Sequence, residues 1–254
     1  MRKSVILLTA FLAAYLAGAQ VVFIPDTNFK NKLIELGVDL NNNGEIDYTE
    51  AEVVDTLILW FCPAPIQNLT GIEAFTILKY LDCSSNSISL LDLSNNLFLK
   101  YLQCSWNQIN SIDISQCHQL EELQCVDNQI TALNTSNCPL LEILFCDDNN
   151  ITSLDVSNNT KLKSIYCDDN LLSTLDVSGI TGLNRLRCDD NLLTDLNLTS
   201  NDSLTYLRCD NNFLTTLDLT DKTLLEELFC SENQLLFSHK LHTKLLTKKL
   251  IKQI

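Results

Sequence analysis

Histidine is nearly absent from this chain. It has three in 254 residues, and His239 and His242 fall in the final stretch. With only His118 in the body, no Ser-His-Asp set, Cys-His pair or zinc-ligand spacing can be assembled. The many acids fall in repeating slots, so choosing two as glycosidase carboxylates would be arbitrary, and no enzyme is expected. Positive charge is scarce as well: 17 Lys and Arg stand against 32 Asp and Glu, a formal charge of −15. Five of the lysines crowd into the final stretch, so the body is more acidic still. Such a surface repels nucleic acid and anionic lipid and attracts divalent cations or basic partners. Beyond the first 19 residues no apolar run reaches spanning length, so no transmembrane segment is expected. Apolar content of 46% argues against disorder.

Residues 1–19 read as a secretory signal peptide. Arg2 and Lys3 form the basic start, Val5 to Leu16 the apolar stretch, and Ala17-Gly18-Ala19 the small-residue cleavage site. The mature chain is therefore expected to be secreted or on the cell surface. Residues 20–56 form an N-terminal cap. Within it, Pro25 to Gly37 predicts a short helix, with Asp26 or Asn28 as its cap and Phe29, Leu33 and Leu36 on one face. Thr49 and Glu52 have capping-box spacing for a second helix through Val53 and Val54.

Between these helices lies a twelve-residue loop with EF-hand spacing. Asp39, Asn41 and Asn43 offer oxygens at alternate positions, and Gly44 permits the sharp turn. Glu45 offers its backbone carbonyl, Asp47 acts directly or through water, and Glu50 can give two oxygens. The pattern predicts a structural Ca2+. With only three charged ligands and no second loop to pair with, its affinity should be weak, in the extracellular range.

Cysteine is what the chain does have: eleven residues. Nine of them recur every 21 residues, at Cys62, Cys83, Cys104, Cys125, Cys146, Cys167, Cys188, Cys209 and Cys230. From Asn86 to Asn233 an asparagine follows each by three positions. Position 1 of each unit is Leu57, Leu78, Leu99, Leu120, Leu141, Leu162, Leu183, Leu204 or Leu225. Position 4 is Trp60 in the first unit and Leu or Ile thereafter. Second halves read Leu91-Asp-Leu-Ser94 or Leu154-Asp-Val-Ser157. Only four residues then remain before the next Leu, too few for a helix. Two short strands and two turns per unit follow, giving a coil with two parallel sheets over residues 57–237. Such units cannot bury their apolar face alone and must stack.

The pattern LxxLxCxxNxLxxLDLSxN resembles bacterial leucine-rich repeats of the 21-residue IRREKO type. The run from Ile24-Pro-Asp-Thr-Asn-Phe29 to Leu69-Thr-Gly-Ile72-Glu-Ala-Phe75 is similar to the opening segment of secreted leucine-rich-repeat proteins of Bacteroidetes. The resemblance implies a leucine-rich-repeat right-handed solenoid, mainly β, used for protein binding, usually at the cell surface. The first unit departs from the consensus between Pro63 and Phe75 and reads as a cap.

Leu at positions 1 and 4, Cys at 6 and aliphatic residues at 11, 14 and 16 should point inward, with the position-9 amides bonding turn backbone. Stacked cysteine Cβ atoms would lie about 4.8 Å apart, a little beyond the usual bridge distance, so free buried thiols are expected rather than disulfides or a metal ribbon. Cys117 and Cys138 occupy another slot, near an exposed corner, and are the pair to test for a disulfide. Outward positions 3 and 5 carry Tyr80, Tyr101, Phe145, Tyr166, Arg185, Arg187, Tyr206, Arg208 and Phe229. Tyr, Phe and Arg are the residues of binding hot spots, although strands favour aromatics for packing reasons too. Acidic rungs at positions 7 and 8, among them Asp147-Asp148, Asp168-Asp169 and Asp189-Asp190, are either a calcium ridge or a hydrated turn partly neutralised by Arg187 and Arg208. Residues 238–254 are basic, with Leu246, Leu250 and Ile254 at helical spacing, and suit a capping helix or an aberrant end. The expected function is a monomeric, non-catalytic protein-binding scaffold, with a carbohydrate-binding surface as the alternative, in which aromatics stack on glycan rings.

Overall fold

The computed structural model describes residues 20–235. Residues 1–19, expected above to be a signal peptide, and the basic tail at 238–254 lie outside the described residues. Among the described residues two helices come first, α1 (Thr27–Glu35) and α2 (Tyr48–Ala51). Asp26 caps α1, one carboxylate oxygen accepting from Asn28 N (2.8 Å) and Phe29 N (3.1 Å). Its other oxygen accepts from Gln67 N (2.7 Å) and Asn68 N (3.0 Å). One side chain therefore starts a helix and ties it to the first coil. Phe29 and Leu33 are buried, while Leu36, expected on the same face, is exposed. The second helix starts earlier than expected. Asp47 is its N-cap, and the Glu50 carboxylate reaches back to Asp47 N at 2.8 Å, so Glu50 rather than Glu52 plays the capping role.

Eleven strands of three residues follow. Nine form one parallel sheet in the order β1 (Thr56–Ile58), β2 (Tyr80–Asp82), β4 (Tyr101–Gln103), β6 (Glu122–Gln124), β7 (Ile143–Phe145), β8 (Ser164–Tyr166), β9 (Arg185–Arg187), β10 (Tyr206–Arg208) and β11 (Glu227–Phe229). The second sheet is confined to β3 (Leu90–Asp92) and β5 (Ser111–Asp113). In that pair Leu93 N donates to Asp113 O at 3.0 Å. Two coils on, the buried Thr135 hydroxyl takes the equivalent carbonyl, Asp155 O, at 3.3 Å, in place of a backbone amide. From β2 onward the paired residues of the large sheet match at 21, as in Leu144↔Ile165 and Leu186↔Leu207. The architecture is a parallel β-solenoid.

The first coil has a different register. Leu57 pairs with Leu81, 24 residues on, so it fills position 4, not position 1. The three extra residues fall between Cys62 and the 3-10 segment at Ile72–Ala74, where the regular register is restored. That segment starts at Gly71 (φ 107°), where a Cβ would come within 2.7 Å of Ile24 Cγ1. Leu59 consequently fills the cysteine slot, and Cys62 falls in the asparagine slot. Its thiol donates to Leu59 O at 3.4 Å, as Asn86 Nδ2 donates to Cys83 O at 3.1 Å. The cysteine column is therefore eight long, Cys83 to Cys230, rather than nine.

The core is one continuous apolar column. The leucines at positions 1 and 4, the aliphatic residues at 11 and the column cysteines from Cys83 to Cys209 are essentially inaccessible. A buried leucine contributes about 1.5–3 kcal/mol, and an unbroken stack repeats that gain at every coil. The Asn column does the polar work. Asn170 Nδ2 donates to Cys146 O (3.0 Å), Cys167 O (3.3 Å) and Asp168 O (3.0 Å), and its Oδ1 accepts from Ile151 N (2.9 Å). One amide thus satisfies its own turn and the preceding coil.

A second polar column lies on the opposite turn, at Asn96, Cys117, Cys138, Asn159, Ile180, Asn201 and Lys222. Asn96, Asn159 and Asn201 donate to carbonyls of the preceding coil, and Lys222 Nζ reaches Thr199 O (3.4 Å) and Asp202 Oδ1 (2.6 Å). Cys117 and Cys138 share this slot. Contrary to the exposed corner expected, both are fully buried. Each is a free thiol, with Sγ 3.6 Å from Leu93 O and 3.9 Å from Ile114 O respectively. Burial pushes Cys117 up to about 12 and Cys138 to about 11. In this slot the thiols serve as small inward-facing donors, as the amides of Asn96, Asn159 and Asn201 do.

Candidate interaction face

The large sheet shows one regular face. In each strand from β2 to β10 the central residue is buried and its two neighbours are half-buried, so positions 3 and 5 form the outward surface. That surface divides into two groups. Near the cap, Tyr80 and Tyr101 lie 6.3 Å apart between ring centroids. Tyr80 Oη donates to Gln103 Oε1 (3.2 Å) and Tyr101 Oη to Glu121 Oε2 (2.9 Å). Glu122 and Gln124 on β6, bonded to one another at 2.5 Å, separate this pair from the rest.

The larger group runs from β7 to β11. Phe145 and Tyr166 stack at 4.3 Å with rings 14° apart. Arg185 lies 4.4 Å above the Tyr206 ring, and its Nε donates to Tyr166 Oη at 2.9 Å. The Arg187 guanidinium is 5.3 Å from the Tyr166 ring and that of Arg208 is 5.9 Å from Phe229. The seven residues form one interlocked surface, each ring or guanidinium held by the coil beside it.

Beside it runs the position-7 column, Asp147, Asp168, Asp189 and Asp210. Arg187 Nη2 meets Asp168 Oδ2 at 2.5 Å, and Arg208 Nε meets Asp189 Oδ2 (3.2 Å) and Asp210 Oδ2 (3.1 Å). Two arginines thus face four carboxylates. Asp168 and Asp189 are 2% and 1% exposed, and the Oδ1 atoms of Asp147, Asp168 and Asp189 have no hydrogen-bond partner. Burial, with the neighbouring Asp189 charge, raises Asp168 to about 7 against the pull of Arg187. Burial also raises Asp147 and Asp189. Because the Asp168 pKa is raised on folding, its contribution favours the fold below about pH 4 and is lost as pH rises towards 7.

The position-8 acids have another cause. Ser85, Trp106, Asp127, Asp148, Asp169, Asp190, Asn211 and Glu232 all have φ between 47° and 56°. Asp and Asn tolerate this left-handed conformation better than most residues, so this row follows from turn geometry. Among the described residues no group of three or more His, Cys, Asp or Glu is arranged to hold a metal.

The EF-hand residues lie apart from this face, in the cap. Asp39, Asp47 and Glu50 are buried, and the loop's carboxylates and Asn side chains turn inward onto its own amides. The second polar column was missed from sequence. Its signal is the same 21-residue beat, read at Asn96, Asn159 and Asn201 and hidden by the change of residue type at Cys117, Ile180 and Lys222.

No family model matches the chain, and no curated protein does either. Solved structures do. The functional domain of InlJ from Listeria monocytogenes, described as including a cysteine ladder, is 34% identical over 85% of this chain and 53% of its own, with a TM-score of 0.68. A leucine-rich-repeat protein of Leptospira interrogans is 22% identical over 67% of this chain and 47% of its own, at a TM-score of 0.62. The internalin C2 of Listeria monocytogenes shares the fold at a TM-score of 0.69, with 21% identity over 84% of this chain and 93% of its own. The chain spans about half the length of the first two. With the coil geometry above, these likenesses make it a leucine-rich-repeat protein. Among the described residues no helix is long and apolar enough to cross a membrane.

Proposed function

We propose that this chain is a non-catalytic protein-binding scaffold, and that its ligand docks on the β7–β11 part of the large sheet. One observation carries the reading: the interlocked surface of Phe145, Tyr166, Arg185, Arg187, Tyr206, Arg208 and Phe229 contributes nothing to the core. Its rotamers are already fixed by stacking and ion pairs, so little side-chain entropy is lost when a partner covers it. Rigid aromatic and arginine clusters of this kind are where interface energy concentrates. Likeness to InlJ and to YopM, a leucine-rich effector protein of Yersinia pestis at 29% identity over 62% of this chain, 44% of its own and a TM-score of 0.57, supports the scaffold reading. The leader-like residues 1–19 support secretion or surface display. The exposed acids Asp148 and Asp169 alongside favour a partner that presents basic groups.

The test is affinity capture from host or neighbouring-cell surface proteins with wild type and with Tyr166→Ala/Arg187→Ala. A partner held by the wild type and lost at least tenfold by the double variant supports the reading; equal capture places the ligand elsewhere. A glycan array run in parallel should stay blank. A sugar signal lost in the same variant would favour carbohydrate binding instead.

A further inference from the structure

We infer that the loop from Asp39 to Glu50 holds one calcium ion, and that the ion locks residues 20–22 onto the cap. The loop already has the turn such a site needs, and its three carboxylates, not gathered as a metal cluster here, have only to close on the ion. Gly44 takes φ 81° at the sharp turn. Asp39 accepts from Asn43 N (3.1 Å) and Gly44 N (2.9 Å), and Glu50 Oε1 from Leu40 N (2.9 Å) and Asn41 N (3.1 Å). Each carboxylate oxygen has two lone pairs, so these bonds orient the groups without using all their capacity. The Glu45 side chain is drawn off to Lys30 at 3.0 Å, and its backbone carbonyl is the donor the spacing assigns. The set is all oxygen, the chemistry of a hard cation. With three carboxylates, it is completed by the Asn41 and Asn43 amide oxygens and that carbonyl.

Two further observations point to a ligand and to what it would fasten. Asp47 is 2% exposed, yet its Oδ1 has no hydrogen-bond partner. A buried carboxylate oxygen without a donor is costly, and a cation in the loop would satisfy it. In addition, the loop's β-edge at Ile46 is covered by residues 20–22. Val22 N donates to Ile46 O (2.7 Å) and Tyr48 N to Gln20 O (3.0 Å), forming an antiparallel bridge between Val21 and Asp47. The edge a second loop would take is thus filled by residues 20–22, which explains how a single loop can be complete. Ile46 sits fully buried beneath it.

The experiment is calorimetric titration of the full chain, stripped with chelator, with calcium chloride, alongside hydrogen exchange. Expected are one site per chain, at least tenfold weaker binding in Glu50→Gln, and several-fold tighter binding in Asn43→Asp, which adds a charged ligand. Amides of Val22 and Tyr48 should exchange at least tenfold more slowly with calcium than without. Asp147→Asn/Asp168→Asn should bind as wild type does, since the position-7 column is a different place. Absence of binding in the folded wild type overturns the inference, as does binding unaltered by both loop variants. Unchanged exchange at Val22 overturns the locking of residues 20–22.

Discussion

The position-9 asparagine defines what this array demands of a single residue. Asn170 makes four hydrogen bonds, two of them across to the neighbouring coil, with an amide 6% exposed overall. Alanine would leave Ile151 N and three carbonyls short of partners in a place water does not reach. An unsatisfied buried group costs about 1–3 kcal/mol, so Asn170→Ala should destabilise by about 3 kcal/mol, read from the urea midpoint at constant m-value. Asn86 makes the same bonds in a less buried setting at the first coil, and its replacement should cost less. Equal costs would mean that burial is not what gives the amide its weight. The position-8 residues make the contrasting case. Their acidity invites a cation-binding reading, yet the left-handed φ they share explains it without one.

At the scale of the element, the cap stands or falls with its tether to the first coil. Asp26 is that tether. Burial pushes its carboxyl up, and four backbone amides more than offset it, so the pKa is lowered. A lowered carboxylate adds stability above the unfolded pKa, near pH 4, and loses it as pH falls. Asp26→Ala should therefore cost about 2 kcal/mol at pH 7, the upper range of a lost N-cap. It should also flatten the loss of stability between pH 5 and 3, as thermal melts at both ends would show. A variant with the wild-type acid profile would assign that slope to other carboxylates. The helix was legible in the sequence from Phe29 and Leu33 on one face, with its cap narrowed to Asp26 or Asn28, of which the structure uses Asp26. The sequence did not disclose the first-coil register. The 21-residue distance from Cys62 to Cys83 persists by coincidence of the cysteine type, while three residues added in the turn shift the backbone to 24. Spacing reports which residues recur; only pairing reports which carbonyl meets which amide. For the same reason the outward positions 3 and 5 could be read directly, since they follow from strand alternation. The ion pairs that lock Arg187 and Arg208 depend on side-chain reach across coils.

The whole molecule is a stack of thiols as much as a stack of leucines, and this gives it an unusual weakness. Burial raises the column cysteines from Cys83 to Cys209 well above the ordinary thiol value, and raises Cys117 to about 12 and Cys138 to about 11. In the unfolded chain each would ionise near pH 8.5. A raised folded pKa contributes stability that is complete below the unfolded value and is lost as pH climbs towards the folded one. Each such thiol then removes about 1.4 kcal/mol per pH unit above about pH 9. Nine acting together outrun the 5–15 kcal/mol that holds a typical domain. The protein should hold its fold at pH 8 and unfold cooperatively by about pH 10.5, followed by circular dichroism under reducing conditions. Thiol reagents should find almost nothing to modify before that transition and all eleven cysteines after it. Cys146→Ala/Cys167→Ala separates this cause from general repulsion on an acidic surface. The double variant loses core packing and is less stable at pH 7, yet its stability should fall with pH about 3 kcal/mol per unit more gently. If wild type and variant lose stability in parallel, surface charge and not the buried column sets the alkaline limit.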